Sequence, residues 1–299
     1  MAGTLSYARA MNERLPGLIL TLSCPDTTGV VAAAAGFLAT HNALITEAQH
    51  FDDPYSDTSF MRVVFHDNGR GMASSSELNA AFERDVAGRF RMRWQFHEAA
   101  RHCRVMLAVS QLGHCLNSIL HRASMGSLPV EIVGVVSNHE DLRKLVEWHG
   151  LPFHHLPIGA DGKAVQEQQL IRQFEAADAE LLVLARYMQI LSDEACRYFA
   201  GRAINIHHSF LPGFKGARAY HQAHERGVKL IGATAHYATT ELDEGPIIEQ
   251  EVERVGHSLT PEEFVDIGRD LESVVLTRAV RWHAERRVFL NGAKTVVLR

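Results

Sequence analysis

The chain has 299 residues, 46% hydrophobic and 22% charged, with a formal net charge of -5. This is the composition of a globular protein of one large or two ordinary domains, and its acidic balance excludes a general nucleic-acid binder. No long uncharged apolar run is present, so no membrane-spanning helix or membrane partner is expected.

The N-terminus lacks an apolar signal core and carries Arg9, Glu13 and Arg14; residues 1–16 read as a loose arm. From Gly17 the chain forms a strand, L-I-L-T-L-S, then a turn in which Asp26, Thr27 or Thr28 caps a helix over Val30–His41. Asn42 is expected in the left-handed region that ends it. Strands at Ala43–Phe51 and Thr58–His66 flank the loop D-D-P-Y-S-D, and Leu78, Phe82 and Val86 recur at helical spacing over Ser76–Val86. Arg89–His97 alternates strictly, with Phe90, Met92, Trp94 and Phe96 as one apolar face. Arg89, Arg91 and Arg93 fit the solvated face of an edge strand. The order β-α-β-β-α-β is ferredoxin-like, and places a first domain at 17–97 and a linker at 98–102.

Beyond the linker, apolar strands at Arg104–Val109, Val130–Ser137, Phe153–Leu156 and Leu181–Ala185 alternate with helices at Gly113–Ser124, Glu140–His149, Lys163–Ala177 and Asp193–Phe199. Such alternation predicts an α/β fold with a doubly wound, mostly parallel sheet over 103–299. No G-x-G-x-x-G follows the first strand, so a dinucleotide site is not expected. Ala233–Ala238 and Ile247–Val255 read as further strands, and Pro261–Arg287 as one long helix.

The chemistry gathers after Ala203. Ile204 and Ile206 alternate with Asn205 and His207, so a strand end presents an amide and an imidazole on one side. Asp243 follows in a turn-rich loop, E-L-D-E-G-P. Oxyanion donor, acid/base group and orienting carboxylate together suit acyl transfer. The four cysteines (Cys24, Cys103, Cys115, Cys196) have no paired spacing, which predicts free thiols in the cytoplasm. The 18 histidines include no H-E-x-x-H, and no metal is expected.

Two resemblances sharpen this. The first strand followed by P-D-x-x-G at Pro25–Gly29 resembles an ACT domain. That implies pairing across subunits (a homo-oligomer, dimer or tetramer) and an amino-acid effector, with Asp26, Gly29 and Asn42 as candidate contacts. The segments N-I-H-H-S-F-L-P (205–212), H-Q-A (221–223), T-A-H (234–236) and E-L-D-E-G-P (241–246) resemble the folate-dependent formyltransferase family, from Arg104 to about Arg287. The resemblance implies that Asn205, His207 and Asp243 are catalytic, with His208, Ser209 and Gly245 as supporting candidates. Residues 184–191 (L-A-R-Y-M-Q-I-L) resemble the family's pteridine segment, implying a folate pocket of Arg186, Tyr187, Met188 and Leu191, closed by Thr239, Thr240 and Glu241. Lys215 and Arg218 are candidates for the substrate's glutamate tail.

The family's purine-pathway transferases carry a Gly- and Ser-rich phosphate loop after the first strand. This chain has S-Q-L-G-H-C-L there (110–116), with one glycine and bulky His114 and Cys115 in the acceptor-site loop. With the ACT-like module, that departure implies a hydrolytic member, converting 10-formyltetrahydrofolate and water to formate and tetrahydrofolate, the formate serving purine synthesis. The substrate is then a small-molecule folate, with no permanently bound cofactor. Two other readings stay open: formyl transfer to an amine such as glycinamide ribonucleotide, and a non-catalytic folate- or amino-acid-sensing regulator.

Overall fold

A computed structural model describes residues 17–159, 162–213 and 218–299; the arm at 1–16 and Lys215 lie outside the described residues. The chain divides into two compact units. One runs to Arg101 and takes in Glu285–Phe289 and Leu298–Arg299; the other comprises His102–Ala284 and Leu290–Val297.

The first unit contains β1 (Leu18–Pro25), α1 (Val30–Thr40), β2 (Ala43–Asp53), β3 (Thr58–Asp67), α2 (Ser75–Phe82) and β4 (Arg93–Glu98). Its sheet is antiparallel in the order β2-β3-β1-β4, the ferredoxin-like arrangement expected for an ACT-like fold. Alternation explains the core: Leu18, Leu20, Leu22 and Cys24 face the helices, where they meet Phe37, Leu38, Phe65 and Phe82. The N-cap of α1 is Gly29 (φ 97°), without a side-chain cap, rather than Asp26, Thr27 or Thr28; glycine takes this left-handed turn without a Cβ penalty. Asn42 is left-handed as expected (φ 61°), and its amide donates to the Gly71 carbonyl at 3.2 Å. β4 starts later than the alternation suggested. The preceding helix continues through a π-turn (Glu83–Ala87) and a last turn (Gly88–Phe90), and Arg91 ends it at φ 53°. Arg89 and Arg91 are therefore off the strand, though they and Arg93 are exposed.

The other face of this sheet carries a buried charge. Arg62, 3% exposed, donates to Glu47 at 2.8 Å and to the Glu285 carbonyl at 2.9 Å. Arg287 meets the same Glu47 at 2.8 Å, and Phe289 packs edge-on against Phe60. The segment Glu285–Phe289 thus completes the first unit.

The second unit has a seven-stranded sheet in the order β11-β10-β9-β8-β5-β6-β7. β5 (Cys103–Val109), β6 (Val130–Ser137), β7 (Phe153–His155), β8 (Leu181–Leu184) and β9 (Ala203–His207) are parallel; β10 (Leu230–Tyr237) and β11 (Ile247–Arg254) return antiparallel. The connecting helices are α3 (His114–Ser124), α4 (Arg143–Trp148), α5 (Gly162–Ala176), α6 (Asp193–Tyr198) and α7 (Ala219–Glu225), followed by α8 (Pro261–Ala284). Helix α7 was not anticipated, and α8 stops at Ala284 rather than Arg287. The chain then turns at Asn291-Gly292 between β12 (Val288–Asn291) and β13 (Lys294–Val297). Among the described residues, no helix is long and apolar enough to cross a membrane.

Strands β5, β6 and β7 progress to one side, and β8 and β9 to the other. The C-terminal ends of β5 and β8 therefore form a topological switch point, where open α/β sheets bind ligands.

Glu47→Ala would leave Arg62 buried with a backbone carbonyl as its named acceptor. Urea melts should show a loss of ~1.5–3 kcal/mol, and Glu47→Ala combined with Arg62→Met should lose less than Glu47→Ala alone.

Candidate active site

β9 ends at His207, and β10 runs back beside it with His236 opposite Asn205 and Thr234 opposite His207. Strand alternation puts Asn205 and His207 on one side, and the register brings His236 to the same place. The loop between β10 and β11 then folds back: Tyr237 N–H donates to the Pro246 carbonyl at 3.0 Å. Gly245 makes this possible, because a Cβ there would lie 1.7 Å from the Tyr237 oxygen. Asp243 is held at φ 59°, a conformation that a non-glycine residue adopts at a cost of ~1–3 kcal/mol.

In this geometry Asp243 Oδ1 lies 3.1 Å from His207 Nδ1, with side chains 7% and 5% exposed. Burial pushes the Asp243 carboxyl up, but its hydrogen bond to His207 and the nearby charge outweigh this and hold it below the usual carboxylate range. His236 completes the set. Its Nδ1 lies 2.9 Å from the Tyr237 carbonyl, which can only accept, so we assign the proton to Nδ1. Nε2 then accepts from Asn205 Nδ2 at 3.2 Å. Burial depresses the His236 pKa, in keeping with a neutral ring that accepts at Nε2. The 3.9 Å between that nitrogen and Asp243 is then proximity, not a hydrogen bond. The chain thus fixes which way the Asn205 amide faces.

These groups line a cavity of about 310 Å³. Its wall includes Arg186, Tyr187, Met188, Leu191, Thr239, Thr240 and Glu241, together with His208. Ser110, just past β5, anchors this wall by accepting from Met188 N–H at 3.0 Å and donating to Asn138 at 2.7 Å. Met188 and Leu242 are about half exposed at the mouth, 54% each; such apolar surface beside convergent polar groups suits a flat heteroaromatic ligand. His208 faces both this cavity and a second, more apolar one, which Ser209 and Tyr220 also line. Burial, then the Arg186 charge, drives the His208 pKa down to about 4.

Other candidates are placed elsewhere. His114 and Cys115 do not line the cavity but lie against Glu272 of α8. His114, Cys115 and Glu272 hold ligand-type atoms within 4.8 Å of one another, yet Arg186 Nε stands 3.3 Å from the same carboxylate and opposes a cation there. Asp26, Gly29 and Asn42 sit in the first unit, at the two ends of α1. Arg218 is exposed, at φ 60°. In the sequence His236 stands out only as part of the T-A-H segment of a strand, and Glu272 does not stand out at all. Nothing in local composition marks either one: His236 depends on strand register, and Glu272 reads as one charge on an amphipathic helix.

The formyl transferase family profile matches residues 103–280. A formyltetrahydrofolate deformylase of Corynebacterium sp. (strain P-1) is 50% identical over 282 residues, covering 94% of this chain and 98% of the relative. The crystal structure of formyltetrahydrofolate deformylase from Burkholderia mallei ATCC 23344 superposes with a TM-score of 0.90 at 54% identity, over 95% of this chain and 100% of that one. Glycinamide ribonucleotide transformylase 1 from Symbiobacterium toebii matches less of the chain. It covers 66% of this chain and 95% of its own, at 30% identity and a TM-score of 0.62.

The buried imidazole gives a pH prediction. His208 titrates near 6.5 when unfolded and about 4 when folded, so the unfolded state binds the proton first as pH falls. Its contribution to stability is complete above pH 6.5 and erodes as pH falls toward 4. Chemical denaturation across that range should show the decline, and His208→Gln should make it shallower.

Proposed function

Because the chain belongs to the formyl transferase family, and within it to the formyltetrahydrofolate deformylases, we propose that it hydrolyses 10-formyltetrahydrofolate to formate and tetrahydrofolate. Similarity along nearly the whole chain to deformylases, against a partial match to a transferase, supports water as the acceptor. For the site, the observation that carries the reading is the convergence of Asn205, His207 and Asp243 on one cavity wall.

Water attacks the formyl carbon, a C–O bond forms, and the carbonyl electron pair moves onto the formyl oxygen. Asn205 donates one N–H to that oxygen while His236 holds the other. His207, protonated and paired with Asp243 through Nδ1, adds a charge-assisted donor from Nε2. Asp243 accepts a proton from the attacking water and passes it to N10, which leaves as the C–N bond breaks. The folate ring is assigned to the wall of Arg186, Tyr187, Met188 and Leu191, under Thr239, Thr240 and Glu241. Ser209 and Gly245 act on the backbone: Ser209 Oγ donates to the Gly213 carbonyl, and Gly245 lets the acid's loop close. No permanently bound cofactor takes part in this scheme.

We assign the released formate to purine synthesis and the reaction to balancing folate pools. Four buried free cysteines fit a reducing cytoplasm. The ACT-like unit, with sheet edges at β2 and β4, is assigned to subunit pairing and to an amino-acid effector near Asp26, Gly29 and Asn42.

Purified protein given 10-formyltetrahydrofolate and no amine should release formate and tetrahydrofolate in equal amounts. Formyl appearing only on added glycinamide ribonucleotide would favour the transferase reading, and no turnover would favour the regulator. Asn205→Ala should stay folded and lose ~10²–10³ in turnover, with a smaller loss for His236→Ala.

A further inference from the structure

We propose that His208 positions the attacking water: its neutral ring accepts one O–H of that water while Asp243 accepts the other, which leaves an oxygen lone pair directed at the formyl carbon. The observation behind this is an imidazole at the site whose polar atoms are unused. His208 lines the catalytic cavity together with Asn205, His207 and Asp243, and lines the second, more apolar cavity as well. Its ring has His207 at 5.0 Å and Tyr220 at 6.0 Å, centre to centre, and among the described residues no hydrogen-bond partner. Its polar neighbours are all engaged. His207 is paired with Asp243, and His236 is divided between the Tyr237 carbonyl and Asn205. Ser209 Oγ donates to the Gly213 carbonyl, and the Tyr220 hydroxyl donates to Glu272. A ring nitrogen that faces a polar cavity without a protein partner is a place for water.

The backbone holds the ring in this place. β9 ends at His207, and the residues just past His208 are fastened to β10. Thr234 Oγ1, fully buried, donates to the Ser209 carbonyl at 2.8 Å and accepts from Leu211 N–H at 3.1 Å. Gln250 Nε2 donates to the Leu211 carbonyl at 3.1 Å. Residues 209–211 therefore cannot carry His208 away from the cavity without leaving buried polar groups unpaired.

A nucleophilic water is best held by acceptors, because both hydrogens are then engaged and a lone pair is free to attack. The Asn205 amide and protonated His207 are donors, and the His236 acceptor is taken by Asn205. Asp243 and the unprotonated nitrogen of His208 supply the two acceptors. Burial, then the Arg186 and His207 charges, outweigh Glu272 and Asp243 around the ring and set its pKa at about 4. The ring is therefore neutral at pH 7 and keeps a lone pair to accept with. The hydrogen facing Asp243 passes to the acid and on to N10, as the C–O bond forms and the C–N bond breaks. The hydrogen held by His208 stays on the oxygen, leaves with formic acid and is lost to solvent as formate forms. His208 accepts a hydrogen bond throughout and takes no proton.

The inference rests on water being the acceptor, which formate release by the wild type without an amine tests on its own. His208→Phe keeps a ring and removes the acceptor, whereas His208→Gln restores an acceptor as an amide oxygen. For each, kcat for formate release, Kd for tetrahydrofolate and the circular dichroism spectrum are measured. His208→Phe should lose about 10²-fold in kcat, the cost of a reacting group held ~1 Å out of place. It should bind tetrahydrofolate within about twofold of the wild type, since the lost contact is to water and not to folate. His208→Gln should recover about tenfold of that loss, which a purely structural role would not produce. A folded His208→Phe that turns over within about threefold of the wild type would overturn the inference. So would a folded His208→Gln no faster than His208→Phe, or a loss that lies wholly in tetrahydrofolate binding. If His208→Phe does not fold, His208→Leu against His208→Asn makes the same comparison. A wild type that releases no formate defeats the functional reading and this inference with it; an active wild type with an equally active His208→Phe defeats the inference alone.

Discussion

A carboxylate taken out of water against an imidazole is the constraint on which the site depends. Burying an ion costs several kcal/mol unless it is paired and hydrogen-bonded, and Asp243 adds the strain of a left-handed backbone. Both costs are met by one contact, to His207, and by the close return of the chain at Gly245 over Tyr237. That contact positions more than two side chains. It draws residues 239–243 across the end of β9 and so forms one wall of the cavity, while Arg186–Leu191 forms the other. The pair that would polarise the formyl group is also the clasp that closes its pocket.

Around this pair the protein uses several buried charged or polar side chains, each satisfied differently. His236 is neutral and divides its two nitrogens between a carbonyl and Asn205. Glu272 is ionised, hydrogen-bonded to His114 and Tyr220, and charge-balanced by Arg186. Arg62, in the other unit, is balanced by Glu47 and a backbone carbonyl. Each is a group that water would solvate better unless its partners were in place beforehand. The cost at Asp243 and His236 falls where chemistry is proposed.

Much of the fold was legible in the sequence because it follows from short-range pattern. The alternation in Leu18–Cys24 and the apolar runs at Val130–Ser137 and Leu181–Leu184 specify strands whatever else the chain does. The pairing of Asn205 with His207 followed from strand periodicity, and Asp243 from a family motif. What was not legible depends on contacts distant along the chain. The partnership of His236 with Asn205 needs the β9–β10 register, Glu272 needs the packing of α8, and Glu285–Phe289 joins the first unit through Glu47, Phe60 and Arg62. Two further features are local. Asn291-Gly292 between V-F-L and K-T-V-V is a hairpin pattern. The late start of β4 reflects a π-turn, which the strict alternation after Arg89 concealed.

The central claim is that His207 and Asp243 act as one unit. A double-mutant cycle tests it directly: kcat/KM for formate release is measured for the wild type, His207→Ala, Asp243→Ala and the combined variant. If the two are one unit, removing the second residue after the first costs little, and the combined variant is within about threefold of the slower single variant. Losses that multiply, as for independent residues, would contradict the account.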